Sequence, residues 1–383
     1  MIVDKKIASI CDVITGGTPP KSNPNYFNGS ILWAKPDCLD HEVYVTTTQE
    51  HLSKEGTELV RVVPKDSIMV SCIGIIGKVA ITSTKMATNQ QINSLVIKDK
   101  ENTDTEYLFY LIKSLQQTLQ RKASKSLVPI LNKSKLSNIT LHYEDDIIKQ
   151  RTIVRDLSKK LLAINVIAET IEKQMIQVNG LIAGINKQTI EYNGKKEPIS
   201  AHCSENKRII QPESDDAKIL KYLGMENIDK ETLAYIASTD IIESGHSTTY
   251  YFDETHVLYG KLRPYLKKVF LPERTGRCST ELIPLLPVDT MEREYLSLLL
   301  TDDDLVGYIM KESTGARMPR TDMKKLFAYK VAVPNVSEQQ VRLKIRKKQM
   351  EKCSILIEKL RKQQEYVTAL RICLYTEAFG SEE

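Results

Sequence analysis

The chain has 383 residues, with 54 Lys and Arg against 49 Asp and Glu, a net charge of +5 and 41% hydrophobic residues. At about 100–200 residues per domain, this length calls for two domains with real cores rather than a single small one. The charge is too mild to argue by itself for a polyanionic partner, the seven cysteines (11, 38, 72, 203, 278, 353, 373) show neither CxxC nor the Cys/His spacing of a zinc site, and nowhere do about 18 apolar residues run together.

The opening "MIVDKKIASICDV" lacks the apolar run of a signal peptide. Together with buried, reduced thiols, this makes the cytoplasm the expected location. Residues 1–145 read as a first α/β globule. "DSIMVSCIGIIGKVAI" (66–81) and "INSLVI" (92–97) are β-branched runs punctuated by Gly, which predict strands, and "DTEYLFYLIKSLQQTLQ" (104–120) predicts a helix.

A long helix is predicted over 146–190. Val154, Leu157, Leu161, Ile164, Ala168, Ile171, Met175, Val178, Ile182 and Ile185 step alternately by 3 and 4, and no proline occurs from Asp145 to Glu197. That is an a/d seam of more than four heptads. The polar stretch "GINKQTIEYNGKKEPIS" (184–200) then leads into a second globule, placed with its linker at 191–336. A second long helix is predicted over 337–383, opened by the capping-box pattern Ser337-x-x-Gln340. Its seam reads Cys353, Leu356, Leu360, Gln363, Val367, Leu370 and Leu374. Two such seams in one chain are expected to pair with each other, with Gln363 helping to fix the register.

The two halves are copies. "SLVPILNKSKLSNITL" (126–141) returns as "ARMPRTDMKKLFAYKV" (316–331) at an offset of 190, with Pro129 over Pro319 and Lys135 over Lys325. The same offset places Gln150 over Gln340 and "GKVAI" (77–81) over "KKVFL" (267–271), whereas the seams correspond at 192. A repeat this long is a duplicated domain and not a solenoid unit.

Enzyme signatures fail one after another. "GIIGK" (74–78) has two residues between its glycines and Val79 after the Lys, where a P-loop needs four and Ser/Thr. "NPNY" (23–26) lacks the second proline of the DNA amino-methyltransferase motif. "PDCLDHEVY" (36–44) lacks the acid-x-Lys that completes a magnesium nuclease site. Six histidines show no metal or triad spacing.

The polar clusters point instead to binding. "HVLYGKLRPYLKKVFLPERTGRC" (256–278) carries six Lys/Arg against one acid, interleaved with Tyr259, Tyr265 and Phe270, and "MKESTGARMPRTDMKKLFAYK" (310–330) carries six against two. Lys261, Arg263, Lys267, Lys268, Arg317 and Arg320 are the candidates for phosphate contact and guanine readout there. In the first globule Asn89, Gln90 and Gln91 stand in a row, and their amides suit adenine. Either cluster alone is an ordinary solvated surface or polar turn; both together on duplicated globules make nucleic acid the leading ligand. The competing classes are a coiled-coil scaffold whose basic globules dock acidic proteins, and a stand-alone DNA amino-methyltransferase.

The opening "ITGGTPPKSNPNYFNGSILWAKPDCLD" (14–40), then "GIIGKVAI" and "ATNQQINSLVI" (87–97), then the heptad helix, resemble the first half of the DNA specificity subunit of Type I restriction-modification systems. "LYGKLRPYLKKVFL" (258–271), "CSTELIPL" (278–285) and "GARMPRTDMKKL" (315–326) resemble its second half. The resemblance implies an α/β (α+β) fold with two pseudo-repeated target recognition domains, separated by two long helices that pack antiparallel as a spacer. Leu157, Leu161, Ile164, Ile171, Val178, Leu356, Leu360, Val367 and Leu370 are then spacer contacts, and Lys35 and Lys78, within the matched motifs, join the DNA-binding candidates. It further implies that each domain reads one half of a split duplex DNA site and that this chain has no cofactor or chemistry of its own. S-adenosylmethionine, ATP and magnesium are expected in two modification subunits and in restriction subunits, and no membrane is involved. The region 203–240 matches the first globule's opening poorly, lacking its GGTP turn and Trp33, so the second domain is expected to enter its fold by another route.

Overall fold

The computed structural model describes residues 1–39, 43–228, 247–312 and 318–380. The chain divides into two compact units, Met1–Glu172 with Arg361–Glu383, and Lys173–Leu360. Both long helices exist, as Ile147–Ile190 and Val336–Phe379, 44 residues each. Unlike the sequence-based boundaries, each compact unit takes in part of both helices.

In the first unit the apolar runs form strands Ile68–Ser71 and Val79–Thr82, an antiparallel hairpin in register Ile68↔Ile81, with Ile92–Ile97 alongside. These strands are buried on both faces, which is why they read as continuous apolar runs. Ile68, Val70, Val79 and Leu95 point into one core with the helix Thr105–Ser114, and Met69, Ala80 and Ile92 point into another with Ala34 and Leu39. The sheet runs in the order Cys11–Thr15, Ile92–Ile97, Ile68–Ser71, Val79–Thr82, Tyr44–Val45. A second sheet joins Phe27–Ala34 in parallel to Met86–Thr88.

The second unit repeats this topology: Cys203–Glu205, Leu282–Pro287, Val257–Gly260, Val269–Phe270 in one sheet, and Tyr222–Leu223 parallel to Gly276–Ser279 in another. Its first strand is set in the same way, whereas within 203–240 the route differs as expected: Ile209–Ile210 pairs with Thr249–Phe252, while Val62–Val63 in the first unit is an edge strand. Lys196–Pro198 pairs with Lys330–Ala332 as Ile2–Lys6 pairs with Thr140–Glu144. The Ile199 amide then donates to the Tyr329 carbonyl at 2.9 Å, as Ile7 does to Ile139 at 3.0 Å. Residues 229–240 of the poorly matching region lie outside the described residues.

The seam of the first helix is inward as predicted: Val154, Leu157, Leu161, Ile164, Ile171, Val178 and Ile185 are buried and Ala168, Met175 and Ile182 half-buried. The second seam differs. Cys353, Leu360 and Val367 are buried, but Leu356 and Leu370 are 43% and 50% exposed and Gln363 is exposed. Met350, Ile357 and Arg371 are half-buried in their place, and Leu374 is half-buried as its seam position predicts. Gln363 therefore fixes no register, and Leu356 and Leu370 are corrected to outward positions.

Buried glutamines explain the shift. Gln150 and Gln339 are both fully buried. Gln150 Nε2 donates to the Glu144 and Asn102 carbonyls at 2.7 and 3.2 Å, and its Oε1 accepts from the Asp104 amide at 2.8 Å. Gln339 Nε2 donates to the Pro334 and Thr290 carbonyls at 2.7 and 3.0 Å, and its Oε1 accepts from the Glu292 amide at 2.9 Å. The counterpart of Gln150 is thus Gln339, not Gln340, and the seams of the two helices align at the same offset, Ile164 over Cys353 and Ile171 over Leu360. No two-residue insertion is needed.

Within each unit the helix segments run antiparallel. In the first, Lys160 pairs with Glu377 at 2.7 Å and Asn165 accepts from Arg371 at 2.8 Å. In the second, Asn186 accepts from Arg346 at 2.8 Å and the Glu191 carbonyl from Arg342 at 2.7 Å. Among the described residues no helix is long and apolar enough to cross a membrane, and no cluster of His, Cys, Asp or Glu could hold a metal. All seven cysteines are free; five are buried as expected, but Cys38 is half-buried and Cys373 exposed.

Candidate nucleic-acid interface

In the second unit, three segments meet beyond the end of strand Val257–Gly260. The hairpin turn that follows is tight: Pro264–Leu266 form a 3-10 turn, bracketed by Arg263 and Lys267 at φ 54° and 50°. Both occupy the left-handed region that favours glycine, and the matching positions in the first unit are Gly74 and Gly77, at φ 77° and 86°. An arginine held in that conformation costs about 1 kcal/mol or more of backbone strain. The turn is tied to the segment 318–321 by Arg263 N to Pro319 O (2.8 Å), by the bridge Leu262↔Arg320, and by Thr321 N to Lys261 O (2.8 Å). Beneath it the buried Tyr259 hydroxyl meets the Thr321 hydroxyl at 2.9 Å, and burial pushes its pKa up to about 12.

The third segment brings Glu281. Its backbone carbonyl accepts from Lys261 N at 3.0 Å, one carboxylate oxygen takes Arg320 Nη2 at 3.0 Å, and the other faces Lys261 Nζ at 3.9 Å. Lys261, Arg263 and Arg320 therefore converge on one surface beside the exposed Tyr265 and Met318. The acid among them was missed in the sequence; the available signal was its place opposite Gln91 in the repeat.

The other predicted cations separate. Lys267 pairs with Asp303 at 2.6 Å. Lys268 is buried, its ammonium on the carbonyls of Met225 and Ile228 (2.9 Å to the latter), so its charge is already satisfied inside and it leaves the candidate set. Arg317 lies outside the described residues.

In the first unit the GGTP turn packs on the Asn-Gln-Gln turn. Gly16 N donates to Ile92 O at 3.1 Å and Gly17 N to Thr88 O at 2.8 Å, and a Cβ on Gly16 would lie 2.3 Å from the Thr88 and Asn89 carbonyls, so only glycine fits. Asn89 is buried and turned on its neighbour: its Oδ1 accepts from Gln91 N at 3.0 Å and its Nδ2 donates to Gln91 Oε1 at 2.8 Å. Of the three amides only Gln90 is exposed, accepting from the Thr18 hydroxyl. The mutually bonded pair of buried Asn89 and half-buried Gln91 thus shapes the turn, each amide being turned on its neighbour. Lys35 is ion-paired with Glu50 and lies 4.6 Å over the Trp33 ring. Lys78 is half-buried at the end of the hairpin turn. Lys21 and Arg61, exposed beside the GGTP turn, were not singled out from sequence. Arg61 Nη1 donates to the Thr15 carbonyl at 3.3 Å.

Residues 2–175 match the Type I restriction modification DNA specificity domain. The chain is 31% identical over 163 residues to the Type I restriction enzyme HindI specificity subunit of Haemophilus influenzae, covering 42% of this chain and 34% of that protein. It is 30% identical over 145 residues to the Type I restriction enzyme MjaIX specificity subunit of Methanocaldococcus jannaschii, covering 36% and 33%. The matched segments thus span about a third of the length of these curated relatives. The fold of the whole chain resembles a chain in a structure of a type I R-M system, solved for its complex assembly and conformational transition, with a TM-score of 0.68 at 14% identity over 99% of this chain and 97% of that one. Residues 2–175 thus match a Type I restriction modification DNA specificity domain, and the chain as a whole shares the fold of that solved chain.

Proposed function

We propose that this chain is a sequence-specific DNA-binding specificity subunit, without catalytic residues of its own, whose two units each read one half of a split duplex site. It works in the cytoplasm with two methyltransferase subunits and with ATP-dependent restriction subunits, which hold the S-adenosylmethionine, ATP and magnesium. The observation that supports this most is the surface of Lys261, Arg263 and Arg320. A backbone strained in the left-handed region carries an exposed arginine where the repeat has glycine, and such strain persists where the side chain is needed. Arg forks read guanine edges, and a carboxylate such as Glu281 can accept from cytosine.

Arg263→Gly separates need from fit. Removing the Cβ relieves the turn, so thermal stability should hold or rise. Binding of the partner-bound complex to its site should weaken by about 1–3 kcal/mol, concentrated at one base position if Arg263 reads a base, or spread over all sequences with a salt slope smaller by about one if it holds a phosphate. Unchanged affinity in a titration across salt concentrations would remove this surface from the interface. The function itself is tested by selecting duplexes from a random library with the complex: two short blocks at a fixed gap are expected, and unselected or salt-independent binding would point to the protein-docking scaffold.

A further inference from the structure

We propose that the first unit carries an apolar wedge, formed by Ile75, Leu127, Val128 and Ile130, that inserts at a base step of the half-site this unit reads. The inference rests on the DNA-reading function above. These four large aliphatic side chains are 62%, 102%, 51% and 43% exposed. They stand together because Gly74 N donates to Pro129 O at 3.0 Å and Ile73 bridges Ile130. The tip is also braced from within: Ser124 N donates to Ile130 O at 2.9 Å, Ile130 N to Ser124 Oγ at 2.9 Å, and Ser126 Oγ to Val128 O at 2.6 Å. A held apolar cluster facing water marks a surface that something covers.

Two observations say what covers it. Between residues 113 and 143 the chain has six Lys and Arg and no Asp or Glu. The covering surface should therefore be polyanionic outside and apolar within, as a stacked duplex is, and apolar side chains on a cationic rim are how proteins unstack and kink base steps. The second observation is the repeat. The junction Gly74–Pro129 is the counterpart of Arg263 N to Pro319 O, and Ile73↔Ile130 that of Leu262↔Arg320. On the other side of this junction, at an offset of 190, Val128 stands over Met318 and Ile130 over Arg320, while Ile75 follows Gly74 in the turn as Pro264 and Tyr265 follow Arg263. One backbone device thus presents cations in the second unit and aliphatic groups in the first, at the place where the second unit meets DNA.

The test uses the complex of this chain with its methyltransferase subunits on duplexes of the selected site, with 2-aminopurine placed at successive steps of the half read by residues 1–145. Fluorescence should rise several-fold at one step on binding. Leu127→Ser with Val128→Ser should abolish that rise and weaken binding roughly tenfold, about 1.4 kcal/mol, with the salt slope unchanged because no charge is removed. Both substitutions are at exposed positions, and an unchanged melting temperature confirms the fold. Tight binding with flat fluorescence at every step, or full affinity in the double variant, overturns the wedge while leaving the DNA-reading function standing. Loss of the methyltransferase subunits from the double variant overturns it in favour of a protein contact. If the wild-type complex selects no DNA site, the function and the wedge fall together.

Discussion

Gln150→Leu is expected to destabilise the first unit by about 3 kcal/mol or more. Leucine nearly matches glutamine in volume, so little cavity forms and the loss comes from hydrogen bonding. The substitution strands the Asp104 amide, which begins the helix Thr105–Ser114, and the Glu144 carbonyl. Each buried group left without a partner costs about 1–3 kcal/mol. Gln339→Leu should do the same to the second unit through Glu292, Pro334 and Thr290. In a two-unit chain a single melting temperature blurs the two, so hydrogen exchange is the measurement. Gln150→Leu should lower protection in Ile68–Ser71 and Val79–Thr82, and Gln339→Leu in Val257–Gly260. A change below about 1 kcal/mol in both would show that these glutamines do not hold the helix starts.

Lengthening both helices should change the spacing of the site. One heptad added after Glu172 and one after Leu360, where both helices pass from one compact unit to the other, keeps the a/d register. It adds roughly 10 Å of helix, or about three base pairs at 3.4 Å each. Three base pairs also turn the duplex by about 100°, so the effect is best read as the preferred gap in a random-gap library. An active complex that still selected the original gap would rule out the helices as a ruler.

Much of this was legible in the sequence because single-copy signals were reinforced by duplication. The first seam is apolar at all ten positions, so period alone located its buried face. The second is interrupted by Arg346, Gln364 and Arg371, and the apolar but outward Leu356 and Leu370 supplied a false frame. Choosing Gln340 over Gln339 was the same error of one position: both are glutamine, and only the hydrogen bonds tell them apart. Binding residues were harder still. Lys267 and Lys268 are neighbours in a cationic loop, yet one meets Asp303 at the surface and the other caps two carbonyls inside. Asn89 and Gln91 turn on each other, leaving Gln90 outward, because the Gly16–Gly17 backbone packs against that turn. Which side of a turn a side chain takes is decided by contacts 36 to 76 residues away in the chain, and no local pattern records it.

The central claim, two separate readers in one chain, is tested most directly by exchanging residues 1–145 for the matching segment of another specificity subunit and mapping methylated sites in cells that carry the hybrid with its partner subunits. The expected result is a new sequence in one half of the site, with the other half and its methylated base unchanged. A hybrid that remained active and altered both halves, or neither, would contradict it.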